Sequence, residues 1–142
     1  MMRISKHFDR EEFACCCGCG FDTVDVELIE VLEKLCDYCQ EALGAYKIMV
    51  YILSGCRCIP HNETVQEEYV KGYVPYSSDS THLRGQAADF YVVAVSETGI
   101  KTRVPIAFVI RYLYTAYSGK YGIGRYKNRA HLDVTSGNAR RW

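Results

Sequence analysis

The sequence carries no excess of charge of either sign: Lys plus Arg and Asp plus Glu each total 17 in 142 residues. Such a chain has no net field to steer it towards nucleic acid or an anionic membrane, so a polyanion-binding role is disfavoured. It has no run of the roughly 18 consecutive apolar residues that a membrane helix needs, and no membrane span is expected. Met1 to Arg10 is polar and lacks the apolar centre of a secretory signal, so no export route of its own is expected. Internal repeats, low-complexity segments and breaks in composition are also missing. The length suits one hydrophobic core, and the expectation is a single domain over residues 1–142 that acts as a monomer.

Cysteine, by contrast, is plentiful and unevenly placed: Cys15, Cys16, Cys17, Cys19, Cys36, Cys39, Cys56 and Cys58. A disulfide framework would suit an oxidising compartment, yet no signal segment supports one. Cys16-x-x-Cys19 and Cys36-x-x-Cys39 also have the spacing of a structural zinc site. Against that reading, Cys36 and Cys39 fall on an apolar stripe, where buried thiols behave as small hydrophobes. The sequence is compatible with disulfides, free thiols or a second metal.

The periodicities predict an α+β domain. Phe8 and Phe13 mark a short lead-in segment that packs two rings, and Cys15 to Gly20 reads as a loop. Asp25 reads as the N-cap of a helix from Val26 to Ala42, with Leu28, Ile29, Leu32, Leu35, Cys36, Cys39 and Leu43 on one face and Gly44 as its stop. Lys47 to Ser54 is β-branched and aromatic, and reads as a buried strand. Asn62 to Lys71 is charged and reads as a short exposed helix, followed by a Tyr/Ser-rich loop to Thr81. Gly85 to Val93 reads as a strand. Thr102 with Pro105 marks another helix start, continued by Ile106 to Tyr117. Gly122 to Tyr126 and Ala130 to Val134 form a hairpin around Lys127-Asn128-Arg129. Together these give a small antiparallel sheet with at least two helices covering one face.

The chemistry concentrates in Ser80-Thr81-His82-Leu83-Arg84-Gly85-Gln86-Ala87-Ala88-Asp89 and in His131-Leu132-Asp133. Catalytic zinc takes three protein ligands from His nitrogen and Asp/Glu oxygen and keeps a fourth position for water. His82, Asp89 and His131 supply that set. Strand alternation places Gly85, Ala87 and Asp89 on one face and Gln86, Ala88 and Phe90 on the other. It likewise places His131 and Asp133 together. The two strands need only be neighbours for the ligands to meet. A lone loop histidine such as His82 is more often just hydrogen-bonded; the trio carries the reading. His61 reads as structural and His7 as solvated.

These segments resemble the zinc D-alanyl-D-alanine peptidases of the LAS type, which share a fold with the hedgehog signalling domain. The pattern Ser-x-His-x-x-Gly-x-Ala-x-Asp is matched at Ser80, His82, Gly85, Ala87 and Asp89, and a late zinc histidine by His131. Ser54-Gly55-Cys56-Arg57, then Pro60-His61-Asn62, is similar to the segment whose arginine contacts substrate. The resemblance runs from about Phe8 to Trp142. It implies a zinc-dependent hydrolase of peptidoglycan stem peptides, a D,D-carboxypeptidase or an endopeptidase, acting at the cell wall, with release from a phage-infected cell as one route there. It implies Arg57 as a bidentate ligand for a substrate carboxylate and Ser80 as a cap of the metal loop or a substrate contact.

The pattern departs from the family at one functional position. Several members carry an acid three residues before the late histidine, or a histidine two before it; here those residues are Asn128 and Arg129, and neither accepts a proton at neutral pH. Asp133 is the nearest carboxylate and is expected either to be the catalytic base or to orient His131. Glu67, Glu68 and Asp79 are further carboxylates. A non-catalytic zinc-binding module of the hedgehog kind is the alternative function.

Overall fold

The computed structural model describes residues 2–14, 24–55, 85–135 and 138–142. Within them the chain forms α1 (Val26–Leu43), β1 (Lys47–Ser54), β2 (Ala87–Val95), β3 (Lys101–Arg103), α2 (Ile106–Ala116), β4 (Gly122–Arg125), β5 (Ala130–Asp133) and β6 (Arg140–Arg141). The architecture is α+β, as the periodicities predict.

Helix α1 starts where the sequence places it. The Asp25 carboxylate accepts the Glu27 amide at 2.8 Å, satisfying one of the amides that a helix N-terminus leaves unpaired. Gly44 closes the helix at φ +62°, a conformation that costs glycine nothing. Leu28, Leu32, Leu35, Cys36 and Cys39 are fully buried, whereas Leu43, counted on the same stripe, is exposed in the last turn. Phe8 and Phe13 are fully buried with ring centroids 5.6 Å apart, the packing expected of the lead-in segment. That segment lies so close to the end of β1 that a Cβ on Gly55 would come within 2.8 Å of the Phe13 backbone. The glycine of Ser54-Gly55 is thus required by packing, whatever its neighbours do.

The sheet runs in the order β1-β2-β5-β4-β6, with β3 also paired to β2. All pairs are antiparallel except β4 with β6, which is parallel. Two strand expectations need correction. Gly85 has φ +66° and cannot continue an extended strand, so β2 begins at Ala87 and runs on to Val95. Thr102 does not start a helix; it pairs with Ala94 as part of β3, and α2 begins only after Pro105. A free edge on β2 beyond the end of β5 offers ladder hydrogen bonds to residues 101–103, and this outweighs the local capping signal.

Alternation divides the sheet into two faces. Ile48, Val50, Phe90, Val92, Ile123 and Leu132 join the core with the buried residues of α1 and α2. The opposite face carries Asp89, His131 and Asp133, with Tyr51 stacked on Tyr91 at 5.0 Å. A bulge in β1 between Ile52 and Ser54 sits beside Asp89, a common device for re-aiming a strand next to a site. No helix among the described residues is long and apolar enough to cross a membrane.

Candidate metal centre

Asp89 and His131 are direct cross-strand partners in the β2–β5 ladder. On adjacent antiparallel strands such partners bring their side chains together on one face, and the carboxylate Oδ1 of Asp89 lies 2.8 Å from Nδ1 of His131. Two residues further along β5, on the same face, Oδ2 of Asp133 lies 3.0 Å from Nε2 of His131. The imidazole is therefore held between two carboxylates. All three residues are buried, Asp89 and His131 at 7% exposure and Asp133 at 1%.

Asp133 is also bonded by Thr135 and Arg140. Thr135 donates its hydroxyl to Oδ1 at 2.6 Å, while the Arg140 guanidinium reaches Oδ2 at 3.3 Å and makes a second, closer bond to Oδ1. Burial alone would raise this carboxyl's pKa, but hydrogen bonds from His131, Thr135 and Arg140 outweigh it and hold the group far below the usual carboxylate range. Burial likewise disfavours the charged form of His131, and its bonds to Asp133 and Asp89 outweigh that and raise its pKa.

Glycines on β4 make room for this arrangement. Gly122 is the cross-strand partner of Asp133, and a Cβ there would come within 2.7 Å of the Asp133 carboxyl carbon. Gly124 is the partner of His131, and a Cβ there would lie 2.6 Å from the Trp142 indole. Between them Ile123 points into the core. The Gly-Ile-Gly of β4 is thus a strand with one face cleared of side chains.

Strand β6 completes the site from the far edge. Its pairing with β4 brings Arg140 to Asp133 and carries Trp142 over His131, with ring centroids 4.9 Å apart. Sequence reasoning missed both residues. Two residues of strand after a glycine give no periodicity, and the arginine and tryptophan acquire their roles only through a parallel pairing with a segment nearly twenty residues earlier.

The donor set suits a divalent metal. A neutral imidazole has one N–H and one lone pair; if Nε2–H is donated to Asp133, the Nδ1 lone pair faces a carboxylate oxygen of Asp89. Two Lewis bases directed at each other across 2.8 Å require a cation or a shared proton between them. Asp89 and His131 would hold the metal, and Asp133 would hold the second imidazole nitrogen, the support that metal-bound histidines commonly have. The third expected ligand, His82, lies outside the described residues, as do Ser80, Arg57, His61, Cys16, Cys19, Glu67, Glu68 and Asp79.

His7 corrects an expectation. It is not solvated: Nδ1 bonds Oε1 of Glu33, and its backbone amide donates to Oε2 at 2.8 Å. Cys36 stands beside this pair, the three ligand atoms lying within 4.8 Å of one another. Both Glu33 oxygens already serve His7, and burial pushes the Cys36 thiol up, away from the thiolate that a metal needs. The group therefore works as a clamp fastening the lead-in segment to α1. Cys36 and Cys39 are buried free thiols, as expected of core positions.

A family model described as Peptidase M15 matches residues 6–133 of the chain. No curated protein and no solved structure matches it. The matched span holds Asp89, His131 and Asp133 and stops short of Arg140 and Trp142.

Proposed function

Since this chain belongs to the Peptidase M15 family, a family of zinc metallopeptidases, we propose that it hydrolyses peptidoglycan stem peptides with zinc held by His82, Asp89 and His131. The observation that carries the reading is the buried cross-strand pair of Asp89 and His131, an oxygen and a nitrogen donor 2.8 Å apart within the matched span. Zinc bound there would supply a Lewis acid for the scissile carbonyl and a water of lowered pKa.

The chain's own residues divide the remaining work. Asp89 and His131 present their donors from rigid paired strands, so little side-chain entropy is lost on ligation. Asp133 fixes the orientation and tautomer of His131 from behind. Of the two roles open to Asp133, orientation is the one its surroundings favour. A carboxylate bonded by a guanidinium, a hydroxyl and an imidazole is weakly basic and a poor proton acceptor. Arg129 offers no base either; its guanidinium lies 4.2 Å over the Tyr126 ring. The acceptor of the water proton is then to be sought among Glu67, Glu68 and Asp79, which precede His82. Arg57 binds a substrate carboxylate, and Ser80 supports the metal loop or the substrate. The enzyme acts at the cell wall, reached by release from a phage-infected cell or by export.

The test is hydrolysis of purified peptidoglycan and of defined stem peptides, with products identified by mass spectrometry. That analysis separates carboxypeptidase from endopeptidase cleavage. Activity is expected to disappear on chelation and return with zinc. In Asp89→Ala both activity and bound zinc are lost, and in Cys16→Ser both survive. Protein that holds zinc at this site yet releases no product from any stem peptide would instead be a hedgehog-like binding module.

A further inference from the structure

The peptidase reading assigns no work to Trp142, the single tryptophan of the chain. Its placement is fixed by several contacts. The backbone is locked to β4 on both sides, the Trp142 amide donating to Ile123 at 3.2 Å and its carbonyl accepting from Arg125 at 2.6 Å. The indole Nε1–H donates to the Tyr126 hydroxyl at 2.8 Å. Gly124 leaves open the space the ring occupies. All this holds a large apolar ring 4.9 Å from His131, tilted at 44°, yet 47% exposed. Nearly half of the residue's surface stays open, so burial accounts for only part of this placement. An oriented, half-open aromatic ring beside a reacting centre is what recognition of an apolar group requires.

We propose that Trp142 is a substrate-binding residue, its exposed indole face forming the wall against which the aliphatic side chain next to the scissile bond packs. The ligand class is a short peptide with a small apolar residue, such as alanine, at the position beside the metal. The proposal rests on the peptidase reading. A residue flanking a carbonyl held at Asp89 and His131 lies within van der Waals reach of whatever borders His131, and β6 makes that border the indole. The hydrogen bond to Tyr126 fixes the ring before substrate arrives, so little rotamer freedom is lost on binding.

Trp142→Ala and Trp142→Phe are compared with wild type for zinc content, for kcat and KM on a defined stem peptide, and for peptide affinity by calorimetry. In Trp142→Ala, KM and Kd are expected to rise about 10–30-fold, from lost apolar contact. Zinc content should not change, kcat should move by about threefold or less, and Trp142→Phe should restore most of the affinity. As the sole indole, Trp142 also reports directly: wild-type emission should shift in the binding phase of a stopped-flow experiment, before hydrolysis. A KM and Kd unmoved by Trp142→Ala overturn the proposal while leaving the peptidase reading intact. Loss of zinc in Trp142→Ala overturns it too, by making the ring a prop for His131. Peptide binding that depends on Trp142 without any hydrolysis sustains the proposal and removes the peptidase reading.

Discussion

Replacing Gly122 by alanine tests the construction of the site most sharply. The added Cβ would stand 2.7 Å from the Asp133 carboxyl carbon and closer still to one of its oxygens. Asp133 is 1% exposed and tied to His131, Thr135 and Arg140, so its carboxylate has no nearby place to go. Overpacking of this kind costs about 1–3 kcal/mol, and loosening charge-assisted hydrogen bonds adds about 1.5–3 kcal/mol where they break. A destabilisation of about 3 kcal/mol results, which in a chain of this size lowers Tm by roughly 9 °C. The same shift withdraws support from His131, so zinc affinity falls about 10–100-fold. Gly44→Ala is the comparison: it meets nothing within 4 Å and suffers only from φ +62°, a cost of about 1–2 kcal/mol with no effect on zinc. Thermal unfolding followed by circular dichroism, with metal titration of each variant, reads both quantities. If Gly122→Ala melts and binds zinc as the wild type does, Asp133 is not confined as described.

Other substitutions probe the remaining parts. Asp133→Asn is expected to weaken zinc binding about 10–100-fold while turnover persists at saturating zinc; full zinc occupancy with no turnover would return the base role to Asp133. Glu33→Gln tests the clamp through pH. Burial raises the Glu33 pKa, but its polar neighbours Ser5 and His7, the latter hydrogen-bonded through both backbone amide and ring, outweigh it and lower the value below the ordinary 4.5. Its stabilisation is thus complete above about pH 4.5 and is lost as pH falls through the lowered folded value. The Tm gap between wild type and Glu33→Gln should therefore narrow as pH falls below about 4.5, and a gap that stays constant there would contradict a clamp that needs the Glu33 carboxylate. Arg57→Ala should impair hydrolysis of peptides with a free C-terminus far more than of cross-linked ones; equal losses on both would remove its carboxylate role.

Much of the frame was legible because it follows from short-range rules. The Asp25 cap, the stripe from Leu28 to Cys39 and the Gly44 stop belong to one helix, and each acts through neighbours two to four residues away. The run from Lys47 to Ser54 announces its strand by composition alone, but not its burial: it is an edge strand of the described sheet, in which only Ile48 and Val50 are buried and Leu53 is exposed. Alternation put His131 and Asp133 on one face and separated Asp89 from Phe90, and the pairing of β2 with β5 completed the match. Thr102 misled because a capping residue and a strand residue can look alike locally; the unoccupied edge of β2 chose between them. His7 misled because its partner lies on α1, 26 residues away.

The sequence by itself determined which residue types were available to hold a metal and on which strand faces they stand, since side-chain alternation is a property of the backbone. Tertiary structure alone decided that Asp89 and His131 are cross-strand neighbours, that Arg140 neutralises Asp133, and that Trp142 borders His131. The physical reason is that strand pairing depends on edges and register supplied by distant segments. The clearance at Gly122 and Gly124 has meaning only once the side chains that fill it are in place.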